Sequence, residues 1–236
     1  MSRHPDGPAD TTMMGVVHDA LRRDIARLQT ALAPPAIPDD NRRHALAQHA
    51  LWMMDFLHDH HRGEDEGLWP LVTDRNPQAA ELLAGMEAEH ALIVPAADRM
   101  TAAARWYDHE ADTPRRREFA AALDELTTVV LPHLAREEAD VMPLVSASIS
   151  HAEWRDWEHA HNVKGKSPRY LARRAHWLMD GLDPDRYQVL VHLVPPPVRL
   201  VIVHGFARSY RRACAARWGA ELPVGPARAG LPAAAR

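Results

Sequence analysis

The chain has 236 residues, 46% of them hydrophobic and 25% charged, which excludes disorder throughout and allows one well-packed core with a smaller appended unit. A single cysteine, Cys214, excludes an intramolecular disulfide and any cysteine-based zinc or iron–sulfur site, so we expect a reducing, cytoplasmic setting. The net charge of −4 is uneven: residues 151–236 carry 14 Lys and Arg against 7 Asp and Glu, and we expect this basic part to pack on the acidic part rather than bind nucleic acid.

Four helical segments are predicted in the first 150 residues, in chain order near 12–33, 40–72, 77–108 and 115–146. The breaks APPAIPDDN (33–41) and HEADTP (109–114) divide them into two antiparallel pairs. We therefore predict an all-α protein built on an up-down-up-down four-helix bundle with a helical C-terminal extension. The predicted domains are a flexible N-terminus (1–11), the bundle (12–148), the extension (149–222) and a flexible tail (223–236).

The extension is predicted to hold helices near 151–162, 168–181 and 198–218. Its most apolar stretch is interrupted by prolines and charged residues, and no basic-then-apolar leader opens the chain, so we expect neither a membrane span nor a secretion signal. The histidines of the extension lack regular spacing to an acid, so we expect them not to bind metal. An extension that covers the bundle as a lid is the alternative.

An internal repeat organises the bundle. HHRGEDEGLWPLV (60–72) and HLAREEADVMPLV (133–145) align at an offset of 73 residues, each with a histidine and a glutamate four positions later. A further histidine lies upstream in each unit, His18 and His90. With a rise of about 1.5 Å per residue, the helix lengths place all four histidines in one layer of the core.

This layer has the composition of a metal site. Residues four apart share a helix face, so His60 with Glu64 and His133 with Glu137 each form a two-ligand clamp. Carboxylates buried without a cation would cost several kcal/mol. Four imidazoles and two carboxylates suit two iron ions and, less selectively, manganese or zinc. The predicted metal ligands are His18, His60, Glu64, His90, His133 and Glu137.

At these residues, over about 12–148, the sequence resembles the hemerythrin-like, or HHE cation-binding, family of four-helix di-iron proteins. The resemblance implies one iron bound by His18, His60 and Glu64, a second bound by His90, His133 and Glu137, and bridging by the two glutamates. Residues 151–236 are also similar to the C-terminal extension of some actinobacterial members.

The sequence departs from the oxygen-carrying members of that family on the third helix. Those members resemble HxxxH there, whereas here Val94 lies four residues after His90, so one histidine ligand is missing. A metal with fewer protein ligands keeps open positions. We therefore expect the protein to bind, sense or detoxify O2, NO or peroxide rather than to transport oxygen. If it turns its ligand over, it would be a peroxidase-like or catalase-like oxidoreductase.

Two other functions stay open. One is a di-iron oxygenase or oxidase whose organic substrate lies between bundle and extension, and the other is an iron store or iron-responsive interaction module. The expected partners are the small ligand and, for turnover, an electron-donor protein. Beside the clamp, His61 is predicted to orient a ligand, with direct metal binding as the alternative. Asp65, Glu89 and Glu138 are predicted to support ligands or to lie at the surface.

Overall fold

The computed structural model describes residues 4–34, 38–110, 112–192 and 206–219. The chain divides into two compact units, Met1–Gly165 and Lys166–Arg236. In the first unit, two π-helical turns, Glu64–Leu68 and Glu137–Val141, and one 3-10 turn, Pro77–Ala79, lie between α-helices. The α-helices of this unit are α1 (Thr12–Leu32), α2 (Asp40–Gly63), α3 (Trp69–Arg75), α4 (Ala80–His109), α5 (Thr113–Arg136), α6 (Met142–Ser148) and α7 (His151–Asn162).

Side-chain caps fix where several of these helices begin. The Asp39 carboxylate accepts a hydrogen bond of 2.8 Å from the backbone three residues on, before α2, and Asp112 accepts one of 2.7 Å before α5. Before α7, Ser150 and Glu153 form a reciprocal capping box. The two caps of the bundle lie in or next to the predicted polar breaks, where the chain reverses direction.

The long helical stretches pack as the predicted four-helix bundle. α4 packs against α2 and α5, and α1 packs against α5. The stretches run over 12–32, 40–75, 80–109 and 113–148, so their ends lie within three residues of the predicted ones. Apolar side chains such as Leu28, Leu46 and Leu126 are fully buried between them, and each contributes about 1.5–3 kcal/mol by its removal from water.

The second and fourth stretches each contain a π-helical turn that the sequence pattern did not predict. These turns, Glu64–Leu68 and Glu137–Val141, begin 73 residues apart at equivalent positions of the repeat. The backbone N–H after each turn bonds to a carbonyl five residues back instead of four, that of Glu64 or Glu137. Each turn therefore begins at the glutamate predicted to bind metal.

A buried charged group joins α1 to α2. The Asp24 carboxylate is fully buried, and its Oδ2 lies 2.7 Å from Nε2 of His49. Arg23 and Arg27 donate to Oδ1 at 2.8 and 3.1 Å. Burial would raise the pKa of Asp24, but His49 and Arg23 outweigh it and hold this pKa well below its ordinary value. The carboxylate is therefore ionised in the folded protein.

The residues before α1 and the helix α7 belong to the first unit. The Ala9 N–H bonds to the Ile149 carbonyl at 3.1 Å, and the His151 N–H bonds to the Gly7 carbonyl at 2.8 Å. Trp154 is buried in the same apolar cluster as the end of the bundle. Part of the segment expected to be flexible is thus held in place, and α7, which we assigned to the extension, packs with the bundle.

The described helices of the second unit are α8 (Pro168–Met179), α9 (Pro184–His192) and α10 (Ala207–Trp218). The helix predicted over 198–218 is present from Ala207, whereas 198–205 and the predicted tail lie outside the described residues. In this unit the ring of His176 stacks on that of Tyr210 at 5.5 Å, and the Tyr210 hydroxyl donates to Asp180 at 3.3 Å. Across the described ranges, no helix combines the length and apolarity needed to cross a membrane.

Candidate metal centre

The predicted ligands are all buried and lie close together where the two π-helical turns begin. Ligand atoms of His18, His60 and Glu137 lie within 4.8 Å of one another and form what we call the first group. Ligand atoms of His61, His90 and His133 are equally close and form the second group. The structure thus places His18 and His60 in one group and His90 and His133 in the other, where they are joined by His61.

The two glutamates face histidines of both groups, although Glu137 is itself a member of the first. Oε1 of Glu64 is 3.3 Å from Nε2 of His60, and its Oε2 is 3.7 Å from Nε2 of His90. Oε2 of Glu137 is 3.3 Å from Nε2 of His18 and 3.8 Å from Nε2 of His133. Each carboxylate therefore faces a histidine of both groups, which is the placement that bridging two cations requires.

The polar atoms at this centre are buried and lack other partners. Among the described residues, both carboxylate oxygens of Glu64 and of Glu137 have no hydrogen-bond donor, and the Nε2 atoms of His61, His90 and His133 have no hydrogen-bond partner. Ionised carboxylates in such surroundings cost several kcal/mol unless a cation neutralises them. Nitrogen and oxygen donors in this arrangement fit a pair of divalent transition-metal ions.

The pKa values of the buried groups are shifted by burial and by neighbouring charges. Burial raises the pKa of Glu64 well above its ordinary value, and the nearby Glu137 carboxylate raises it further. Burial lowers the pKa of His133, and the neighbouring His90 adds to this lowering, against the opposing effect of Glu137. Cations between the groups would favour ionised carboxylates and neutral imidazoles, which are the forms that bind metal.

Carboxylates outside the centre hold three of the imidazoles. Nδ1 of His90 donates to Asp65 at 2.7 Å, Nδ1 of His133 to Glu89 at 3.0 Å, and Nδ1 of His18 to Glu138 at 2.8 Å. These bonds orient each ring and leave its Nε2 facing the centre. The three acids were the predicted supporting residues. None of the three belongs to either ligand group.

The acid beside His18 is held especially firmly. Arg22 donates to the same oxygen of Glu138 at 2.7 Å. Partial burial would raise the pKa of Glu138, but the hydrogen bonds from His18 and Arg22 lower it to about 2. Burial would lower the pKa of His18, but Glu137 and Glu138 outweigh it and raise this pKa to about 9. Glu138 is therefore an anion that fixes the His18 ring.

His61, which the sequence predicted to orient a ligand with direct metal binding as the alternative, lies inside the second group. Its ring is buried and stacks on the His90 ring, with centroids 4.1 Å apart and an interplanar angle of 8°. Neighbouring residues on a helix differ by about 100° in direction, so His60 and His61 can serve different groups, with Glu64 directed between them. In the repeat, His61 aligns with the buried Leu134, which marks an inward position.

The two groups differ in their number of histidines, although no histidine lies four residues after His90 on the third helix. Val94 is 41% exposed and lies outside both groups. The second group nevertheless contains three imidazoles, because His61 of α2 joins His90 and His133. The first group contains two. The group with fewer histidines in the structure is therefore the first one, which contains His18 and His60.

The other histidines do not form a further group. His58 is exposed, as its position on the opposite side of α2 predicted. Throughout the described residues, only the two groups above bring three possible ligands together. His204 of the extension lies outside the described residues.

Comparison with known proteins agrees with this centre. The model of the hemerythrin HHE cation binding domain matches residues 10–162, which span the bundle and α7. No curated protein and no solved structure matches the chain.

Proposed function

Since the chain belongs to the hemerythrin HHE cation-binding family, we propose that its bundle holds two non-haem iron ions that bind, sense or detoxify a small ligand, O2, NO or peroxide. The observation that carries this proposal is the position of Glu64 and Glu137, buried, without hydrogen bonds among the described residues, and each facing both histidine groups. The proposed ligands are His18, His60, His61, Glu64, His90, His133 and Glu137.

The donor set supports iron as the metal. Imidazole and carboxylate ligands suit iron, manganese and zinc, whereas the soft ligands that select copper(I) do not occur in either group. Two ions are favoured over one because the ligand atoms fall into two groups, and Glu64 and Glu137 each face histidines of both. Manganese and zinc remain the alternatives that metal analysis distinguishes.

The unequal number of imidazoles indicates where a small ligand would bind. The second group offers three imidazoles and the first group two imidazoles with Glu137. Glu64 and Glu137 each also face a histidine of the other group. A six-coordinate ion held by the first group would keep more positions for an exogenous ligand. Bound iron would supply redox chemistry and these open positions.

Protein residues shape the surroundings of that position. The Phe56 ring, which is buried, stacks on the His60 ring with centroids 5.9 Å apart and an interplanar angle of 13°. An apolar ring at this place limits the access of water to the first group. Glu138, fixed by Arg22, prevents the His18 ring from rotating away. The first group thus combines a fixed imidazole with an apolar wall.

The test is metal analysis of the purified protein with absorption spectra recorded anaerobically and after addition of O2, NO or peroxide. We expect two irons per chain and a spectral change with at least one ligand. The variant Glu64→Gln should lose iron, because an amide is a poor bridge, while Glu66→Gln, two residues on, should retain it. A protein with two irons and no response to any of the three ligands would refute the ligand-binding function.

A further inference from the structure

The helix α7 contacts the first π-helical turn from outside the four-helix bundle. The indole Nε1–H of Trp157 donates to the backbone carbonyl of Gly63 at 2.8 Å, in a buried hydrogen bond. Gly63 immediately precedes Glu64. A side chain of α7 therefore fixes the backbone at the residue before a proposed bridging ligand.

Two glycines allow this close approach. A Cβ atom at Gly67 would clash with Nε2 of His161 and would lie 2.9 Å from Cδ1 of Trp157. A Cβ atom at Gly63 would lie 3.2 Å from Cβ of His161. Both glycines face α7, and any side chain at Gly67 would require the His161 and Trp157 side chains to shift. Steric room, not backbone conformation, explains these glycines.

The repeat supplies an internal comparison. At the offset of 73 residues, Gly63 corresponds to Arg136 and Gly67 to Asp140. The side chains of Arg136 and Asp140 are 43% and 57% exposed, and they form an ion pair of 3.8 Å. Charged and largely exposed side chains, just before and within the second turn, thus occupy the positions that correspond to the two glycines. The sequence adapts only the first turn to a packed helix.

We propose that α7 is a brace for the first π-helical turn and that Trp157 is a positioning residue, which acts through the Gly63 carbonyl to hold Glu64 between the two histidine groups. This inference rests on the proposed metal centre. A π-helical turn departs from regular helix hydrogen bonding. A donor from outside the turn therefore stabilises the one backbone arrangement that directs Glu64 inward. The brace would slow the release of metal from the centre.

The matched variants are Trp157→Phe and Trp154→Phe. Both tryptophans are buried on α7, and their rings lie 4.9 Å apart, but only Trp157 donates to Gly63. Each protein is loaded with Fe²⁺ without oxygen, and release is timed after addition of an iron(II) chelator. We expect iron release to be about 10-fold to 100-fold faster in Trp157→Phe and less than about two-fold faster in Trp154→Phe. Both variants lose packing contacts of similar size, so the melting temperatures of both metal-free proteins should fall.

Equal release rates in the two variants would overturn the brace. If wild-type protein bound no iron, the proposed function itself would have failed, so the two failures are distinguishable. A second pair does not depend on the tryptophan variants. Gly67→Ala should accelerate iron release, and Gly67→Ala with His161→Ala should restore part of the wild-type rate because the nearest clashing atom is removed. Wild-type release from Gly67→Ala, together with a lowered metal-free melting temperature, would also overturn the brace.

Discussion

Replacement of His61 by leucine should raise the stability of the metal-free protein and lower the stability gained from bound metal. Leucine is the residue that the repeat places there, at Leu134. In the metal-free protein, Nε2 of His61 is buried without a partner among the described residues. Such a group costs about 1–3 kcal/mol. Burial and then His90 hold the pKa of His61 well below its ordinary value, so the ring is neutral and its removal takes away no charge.

The metal-free variant should therefore be more stable than the wild type by about 1–3 kcal/mol. For a chain of this size that difference raises the melting temperature by about 2–12 °C. With iron the order reverses, because the second group keeps only two imidazoles. Saturating metal at a thousand times its Kd stabilises a protein by about 4 kcal/mol per site, and the variant should lose most of this gain at one of two sites.

The assay is calorimetric melting with and without Fe²⁺ under anaerobic conditions, combined with iron analysis after dialysis. We expect a higher metal-free melting temperature, a smaller metal-induced increase and an iron content that falls from two towards one per chain. His58→Leu, an exposed position three residues earlier, is the control. Two irons bound with wild-type affinity would refute the assignment of His61 as a ligand. A lower metal-free melting temperature would instead refute the destabilising effect ascribed to its unpartnered Nε2.

Substitutions at Asp24, Asp65 and Leu134 each have an expected effect that can be measured. Asp24→Asn should lower the free energy of unfolding by about 3–5 kcal/mol at pH 7, since it breaks a buried ion pair with His49. Because the folded pKa of Asp24 is lowered, this stabilisation is lost as the pH falls below about 4. Thermal unfolding should therefore show a smaller difference between variant and wild type at pH 3, and an equal loss at both pH values would contradict this. Asp65→Ala should weaken Fe²⁺ affinity about 10-fold to 100-fold by freeing the His90 ring, and wild-type affinity in an equilibrium titration would contradict that role. Leu134→His should add an imidazole to the first group and reduce the NO-induced spectral change while two irons remain bound; an unchanged response would place the ligand-binding position elsewhere.

The sequence predicted the parts of the structure that depend on spacing along a helix. His60 with Glu64 and His133 with Glu137 share a face whatever their surroundings, because the helical period fixes their relative direction. The level of His18 and His90 followed from helix lengths, since each residue adds a constant rise. The bundle itself followed from the four predicted helical segments and the two polar breaks.

The parts that depend on contacts between helices were not predicted. His61 faces the second group only because of the rotation of α2 about its axis, which packing against α4 determines. The π-helical turns leave no mark in apolar periodicity, although their glutamates repeat. The grouping of Glu137 with His18 and His60 likewise depends on how the two repeats face each other. The alignment of His61 with Leu134 was the available signal that this histidine points inward.

Each proposed metal-ligand group contains side chains from both repeats, so neither group can form before both repeats have been synthesised. His61 of the first repeat completes a group with His90 and His133 of the second, while Glu137 completes a group with His18 and His60. A chain emerging from the ribosome therefore holds neither complete group until its fourth helix has been synthesised and has packed against the others. Iron loading, if it occurs as proposed, becomes a late step of biosynthesis that reports on finished assembly, and a fragment ending before α5 should remain without metal.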